Sequence, residues 1–131
     1  MAATHYANNA ILDYLFRNTG SISYTDVYVG LSATLIDENG AGSTEPSAQE
    51  YKRQLSQYWQ TYDTDGQVFI NSTLTFPKCV TSWGTIVEIF IATSQTGGEI
   101  LYHTRLSPSI PTYEGTQIII NPQTLVVSER I

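Results

Sequence analysis

From residue 27 onward the sequence is a succession of short apolar segments separated by Gly, Pro, Asn and Asp. The strongest segment, Thr85–Ala92, is almost continuously apolar, which predicts a central strand covered on both faces. Gly97 and Gly98 predict a turn that leads into a second strand over residues 100–106. Short strands at intervals of about 8–12 residues predict a mainly β fold, either an antiparallel β-sandwich or a jelly-roll-like barrel.

Further segments share the strand pattern, and they cover residues 27–31, 74–76, 118–120 and 125–127. Asp65-Gly66 lies between two more such segments, and this dipeptide readily supplies the positive φ values of a tight turn, so a hairpin is predicted there.

The polar stretch from Ser32 to Ser47 is rich in turn-forming residues and is predicted to be a long exposed loop. The following stretch, residues 51–59, fits both a helical stripe and a strand face. We interpret its first half as a strand.

One helix is predicted, over about residues 5–17, with Thr4 as its N-cap and Gly20 as its C-terminal glycine. Its apolar residues recur at a spacing of three to four, which places them on one stripe: Tyr6, Ala7, Ala10, Ile11, Tyr14 and Leu15. We expect this amphipathic helix to close an open end or side of the β structure.

Composition limits the classes of protein to which this chain can belong. Its 131 residues suit a single domain over 1–131, and its formal net charge of −6 disfavours a nucleic-acid-binding surface. No apolar run approaches the ~20 residues that span a bilayer, and no secretory signal pattern precedes the helix. We therefore expect synthesis in the cytoplasm and no membrane insertion. The single cysteine, Cys79, precludes an intrachain disulfide.

The low fraction of charged residues, 14%, and the nine tyrosines are equally compatible with two kinds of protein. One is a subunit packed against others, because Tyr is enriched and Lys and Glu are depleted at interface cores. The other is an ordinary β-protein, because Tyr also favours strands.

Residues with catalytic or metal-binding chemistry are few and lack the spacing of known motifs. His5 and His103 are the only histidines, and neither belongs to a metal-ligand pattern, so no cofactor or metal is expected. A nucleophilic pair of Cys79 and His103 is disfavoured because a lone thiol among strand residues is usually a small buried hydrophobe. The prediction is a protein that is not an enzyme.

Glu88 interrupts the strongest strand. If that strand is covered on both faces, the carboxylate needs a partner, since an unpaired buried charge is costly. Arg105, on the predicted neighbouring strand, is the expected partner in a structural ion pair.

Seven blocks of the chain, taken together, resemble a family of small tailed-bacteriophage virion proteins. They lie at residues 6–16, 27–32, 44–47, 51–53, 74–77, 82–87 and 96–103. The most specific part is the Trp83-Gly84-Thr85 block followed by the Gly-Gly hairpin. In this block Trp83 is a large apolar anchor, Gly84 permits close backbone approach and Thr85 begins the central strand. Core anchoring by Trp83 is favoured over a role as a hot spot at a subunit interface.

The resemblance implies a virion structural protein. We expect a decoration or cement protein on the outer capsid surface, bound to the major capsid protein and to copies of itself, with a homotrimer as the expected assembly. The alternative is a tail, baseplate or tail-fibre component that contacts other tail proteins or a host surface glycan, for which exposed Tyr24, Tyr62 and Tyr113 would be the stacking residues. Candidate structural or interface residues are Trp83, Gly84, Thr85, Gly97, Gly98, Tyr51, Arg53, Glu88 and Arg105.

Overall fold

A computed structural model of the chain describes residues 1–17, 26–56, 59–61, 67–122 and 124–128. Within these residues an α-helix, α1 (His5–Leu12), continues as one π-helical turn (Asp13–Arg17). The strands are β1 (Ala2–Ala3), β2 (Val27–Ser32), β3 (Gln54–Ser56), β4 (Trp59–Thr61), β5 (Gln67–Ile70), β6 (Leu74–Thr75), β7 (Thr85–Ala92), β8 (Ile100–Pro111), β9 (Ile119–Ile120) and β10 (Val126–Ser128).

The helix begins where the sequence predicts. Thr4 adopts an extended conformation, and its Oγ1 accepts a hydrogen bond from the Ala7 amide, 3.3 Å away. The same hydroxyl donates to the Ile100 carbonyl at 2.6 Å, so the N-cap also attaches α1 to β8. The predicted C-terminal glycine, Gly20, lies outside the described residues.

Five strands form one antiparallel sheet in the order β1-β8-β7-β2-β3. β7 occupies the centre, as its apolar sequence predicts, and its bounds match the predicted bounds. The predicted hairpin between β7 and β8 is confirmed, with Gly97 and Gly98 both at positive φ, but β8 continues to Pro111 instead of ending near residue 106.

The other strands form two smaller antiparallel sheets, β10-β5-β4 and β6-β9. β4 and β5 pair as the predicted hairpin requires, while Asp65 and Gly66 themselves lie outside the described residues. β9 and β10 belong to different sheets, since β9 pairs with β6 and β10 pairs with β5.

All three sheets contribute to one apolar core. Buried members of that core are Val29, Leu31, Ile86 and Ile91 from the large sheet, Ile70 and Val127 from the second, and Leu74 and Ile120 from the third. A smaller cluster, formed by Ile36, Phe90, Ala92 and Ile100, covers the opposite face of β7.

The predicted mainly β, antiparallel class with one N-terminal helix is thus confirmed. Closure of the sheets into a sandwich or barrel, and a single domain over 1–131, stay predictions.

The connection between β2 and β3 is mostly exposed, but two of the residues predicted to lie in the exposed loop are buried. Ser32 ends β2 and is fully buried, and Ile36 is buried against the smaller cluster. The interpretation of residues 51–59 is correct only in part, because the strand begins at Gln54 and leaves Tyr51 and Arg53 in the connection.

Candidate functional site

Arg53, a candidate interface residue, lies inside the protein and joins two connections. Its Nε and Nη2 donate to the two carboxylate oxygens of Glu45, each at 2.9 Å. Its Nη1 donates to the carbonyls of Ser94 and Gly97 at 2.7 and 2.8 Å. The guanidinium also lies 5.1 Å from the ring centroid of Phe90. Arg53 therefore fastens the β2–β3 connection to the β7–β8 turn.

Tyr51 extends this network toward the core. Its hydroxyl donates to Glu45 Oε1 at 2.7 Å and accepts from the Leu31 amide at 3.0 Å. Its ring stacks on Phe76 and meets Trp83 edge to face, with centroids 6.3 and 5.4 Å apart. Burial raises the pKa of the Tyr51 phenol above its ordinary value, and the hydrogen bond to Glu45 raises it further. Tyr51 is a neutral structural hydrogen-bonding residue.

Trp83 is a core residue, as its favoured interpretation predicts. It is buried, and its indole Nε1 donates to Glu50 Oε1 at 2.9 Å. The same carboxylate oxygen accepts from the Val80 amide at 2.9 Å. The bond from Trp83, followed by the bond from Val80, lowers the pKa of Glu50 from its ordinary 4.5. Neither Glu50 nor its partnership with Trp83 was predicted from the sequence.

Gly84 was predicted to allow a close backbone approach, and this reason is wrong. A Cβ at Gly84 would meet no atom within 4 Å, whereas its φ of +83° favours glycine. The Trp83-Gly84 backbone is held instead by hydrogen bonds to Thr112, whose buried Oγ1 accepts from the Trp83 amide at 2.8 Å and donates to the Gly84 carbonyl at 2.6 Å. Thr85 then begins β7, as predicted.

Gly97 and Gly98 form the predicted turn for two different reasons. Both have positive φ, 62° and 69°. At Gly98 a Cβ would also lie 2.1 Å from the Ser94 hydroxyl oxygen, whereas at Gly97 it would meet nothing within 4 Å. Gly97 contributes its carbonyl to Arg53, so the turn is part of the Arg53 network.

Glu88 is buried, but the predicted partner is wrong. Its Oε1 lies 2.7 Å from His103 Nδ1, and its Oε2 accepts from the Ile36 amide. Arg105 is directly opposite Glu88 in the β7–β8 register, yet it is exposed and makes no ion pair with it. His103 precedes Arg105 by two residues and therefore lies on the same sheet face, where it reaches the carboxylate diagonally.

The structure does not bring Cys79 and His103 together. Cys79 is buried in the main core, where burial raises the pKa of its thiol above the ordinary value. His103 is paired in register with Phe90, which belongs to the smaller cluster on the other face of β7. Cys79 is the buried small hydrophobe that the sequence predicts.

Of the three tyrosines named for glycan stacking, only Tyr113 lies among the described residues, and it is 67% exposed. The described residues contain no group of three or more His, Cys, Asp or Glu side chains placed to hold a metal ion. No helix in the same part of the chain is long and apolar enough to cross a membrane.

The largest departure from expectation is the outward face of the N-terminal helical segment. Of the predicted stripe, Ala7 is buried, Ala10 and Ile11 are half-buried, and Tyr6, Tyr14 and Leu15 are exposed. Leu12 and Phe16, which lie outside the predicted stripe, are exposed as well. The spacing signal that identifies an amphipathic helix does not say whether its apolar face meets the same chain or another one.

Comparison with known proteins identifies the family. No curated protein matches the chain. Residues 2–128 match the model of a family described as "Podophage GP4 fiber I protein gp80", and this span includes every strand from β1 to β10. The resemblance to tailed-phage virion proteins is thereby confirmed, and the chain belongs to this family of phage virion structural proteins.

Proposed function

We propose that this chain is a structural subunit of the tail-fibre apparatus of a tailed phage, which binds other tail proteins or the host surface and catalyses no reaction. The observation that carries this proposal is the family match over residues 2–128, because the family's description names a fibre protein. It supports the tail alternative better than the capsid decoration role that the sequence analysis favoured.

The internal hydrogen bonds agree with a subunit that transmits force or presents a binding face. Arg53 joins Glu45 to the β7–β8 turn, and Trp83 joins Glu50 to the segment that precedes β7. Charge-assisted hydrogen bonds of this kind are stronger than neutral ones and hold connections in a fixed geometry. A subunit that transmits force or presents a binding face benefits from connections that do not deform.

The two virion roles make opposite predictions for particles that lack this chain. A fibre subunit is needed for attachment, so such particles should adsorb poorly to host cells while their heads retain DNA. A cement protein is needed for head strength, so such particles should lose DNA under osmotic shock or chelation while adsorption of the survivors stays normal.

The experiment is to delete the gene from the phage, grow particles with and without a complementing copy, and measure adsorption and DNA retention on both. We expect the adsorption defect alone, restored by complementation. DNA loss without an adsorption defect would contradict the fibre role and favour head decoration. Complementation with Tyr113→Ala, which alters an exposed aromatic residue, then tests whether this side chain contributes to host contact.

A further inference from the structure

A cavity of about 830 Å³ lies beside the C-terminal half of β8. It is lined by residues 105–109 of β8, by Val87 of β7 and by residues 33–35 of the β2–β3 connection, and we call it the β8 cavity. Its volume falls in the range of small-molecule sites in proteins, roughly 300–1,000 Å³. The size alone fits a ligand, and the lining indicates which class.

Arg105 gives this cavity a positive charge that the chain leaves without a partner. Its side chain is exposed and makes no hydrogen bond or ion pair with any residue that the structure describes. The two other arginines in that part of the chain are paired, Arg17 with Asp13 and Arg53 with Glu45. An unpaired guanidinium therefore distinguishes the β8 cavity.

The carboxylate nearest in register is already engaged. Glu88 lies opposite Arg105 in the β7–β8 pairing, but its two oxygens are bonded to His103 and to the Ile36 amide. Among the described residues that line the β8 cavity there is no acidic side chain. The whole chain carries −6, but charges elsewhere on the surface are screened beyond roughly 10 Å at 0.1 M salt. An anion in the cavity thus meets one positive charge in the lining and no negative one.

The rest of the lining combines hydroxyl groups with apolar surface. Ser107 and Ser109 are exposed, and within the described residues their hydroxyls have no hydrogen-bond partner. Each hydroxyl can both donate and accept, which matches the hydroxyls of a sugar. Leu35, which is 52% exposed, and the half-buried Val87 and Leu106 supply the apolar part. This combination suits a saccharide ring, which carries hydroxyls at its edge and carbon-bound hydrogens on its faces.

An acidic peptide fits less well. An extended peptide binds a sheet edge through main-chain hydrogen bonds. β1 pairs with β8 at Tyr102 and His103, and beyond them the described part of the chain places no strand on that edge. The edge contains Pro108 and Pro111, which have no N–H to donate, so recognition here depends on side chains.

We propose that the β8 cavity binds a saccharide that carries a carboxylate. The Arg105 guanidinium pairs with that carboxylate, for which its planar fork of donors is suited, and the Ser107 and Ser109 hydroxyls bond to sugar hydroxyls. This inference deepens the proposed function, on which its meaning for host contact rests, by naming the class of surface ligand. One charge-assisted contact per chain gives weak binding, which several copies on one polysaccharide would strengthen.

The test is a titration of the purified, ¹⁵N-labelled full chain with sodium glucuronate and, separately, sodium galacturonate, followed by NMR. We expect at least one of them to shift the amide signals of residues 104–107 and 109, with a dissociation constant on the order of 1 mM. The absence of such shifts with either sugar up to about 50 mM would overturn the proposal.

Four further probes separate the parts of the ligand. Glucose lacks the carboxylate, acetate and inorganic phosphate lack the sugar ring, and N-acetylglutamate amide carries the carboxylate on a peptide unit. Each should bind at least about tenfold more weakly than the better uronate. Equal binding of glucose would overturn the role of the carboxylate. Equal binding of acetate, phosphate or the glutamate derivative would overturn the assignment of a saccharide.

The decisive variant is Arg105→Gln, which should weaken uronate binding at least about tenfold while circular dichroism is unchanged, because Arg105 is exposed. Arg105→Lys keeps the charge without the planar fork and should bind with intermediate affinity. The matched control is Lys78→Gln, which removes the same charge from an exposed residue outside the cavity. Binding that survives Arg105→Gln, or that Lys78→Gln weakens equally, would overturn the assignment of the site.

These titrations do not depend on the particle experiments. If the chain binds no uronate, the fibre role still stands, since a fibre subunit can act through other tail proteins. If particles without the chain adsorb normally, the fibre role fails while uronate binding by the purified chain is unaffected.

Discussion

Glu88 and His103 form a buried carboxylate–imidazole pair across β7 and β8, with 2.7 Å between Oε1 and Nδ1. The other carboxylate oxygen accepts from the Ile36 amide, which fixes the start of the β2–β3 connection over the sheet. One buried acid thus holds together a central strand, its neighbour and a connection. Arg105, directly opposite Glu88 in register, is left at the surface.

A double-mutant cycle should show that Glu88 is energetically coupled to His103. With Glu88→Ala and His103→Ala we expect a coupling free energy of about 1–3 kcal/mol, because the two side chains are buried and bonded. The parallel cycle with Arg105→Ala should give a coupling near zero, and Arg105→Ala alone should change stability by no more than about 0.5 kcal/mol. Urea denaturation measures all of these values, and a larger coupling to Arg105 than to His103 would contradict the assignment.

Gly30→Ala should destabilise the fold by steric contact. A Cβ at Gly30 would lie 2.3 Å from Cζ of Phe90, whose ring supports the guanidinium of Arg53. We expect a loss of about 1–3 kcal/mol, the usual cost of overpacking, measured by urea denaturation.

The control is Gly115→Ala, which has a positive φ but would meet no atom within 4 Å. Adding Phe90→Leu should relieve part of the Gly30→Ala loss and none of the Gly115→Ala loss. If the stability losses of Phe90→Leu and Gly30→Ala simply add, as they should for Phe90→Leu and Gly115→Ala, then the Phe90 ring is not what excludes a side chain at Gly30.

Arg53→Met should cost about 3 kcal/mol, because it removes the buried partner of Glu45 and leaves the Ser94 and Gly97 carbonyls without their donor. The adjacent Lys52 is exposed, so Lys52→Met is the matched control and should change stability by no more than about 0.5 kcal/mol. Thermal and urea unfolding of the two variants make the comparison. Equal effects would mean that Arg53 is not the connection between the two segments.

Stability should fall in acid partly through Glu50. Because its pKa is lower in the folded protein than its ordinary 4.5, its contribution is complete above that value and is lost as pH falls through the folded-state pKa. Glu50→Gln keeps an acceptor for Trp83 but removes the titration, so its stability should decline less between neutral and strongly acidic pH. The control is Glu114→Gln, at an exposed residue, and its stability should decline in acid as steeply as that of the original chain. An equally steep decline for Glu50→Gln would contradict the role of Glu50.

Local patterns in the sequence predict the elements well. β7 was predicted with its observed bounds, and the N-cap at Thr4 and the Gly-Gly turn are present, because each depends on residues that are close in sequence. The class of fold follows from the same signals. The end of β8 was missed because residues 107–111 are two serines, two prolines and one isoleucine, and their place in the sheet depends on pairing with β7.

The roles of the candidate residues depend on contacts between distant segments, which one sequence does not contain. Arg53 reaches a turn more than 40 residues away, and Thr112 orders the Trp83-Gly84 backbone from the far end of β8. Glu88 was correctly expected to need a partner, but the choice between His103 and Arg105 is set by side-chain reach across the sheet. The N-terminal helical segment shows the same limit at the surface, since periodicity identifies an apolar face and not what covers it.

The position of this chain on the phage particle tests the account most directly. Antibodies raised against the purified chain, applied to intact particles and imaged by immunogold electron microscopy, should place gold at the tail, and particles from the gene deletion should bind none. Labelling spread over the head surface, with none at the tail, would contradict the fibre assignment.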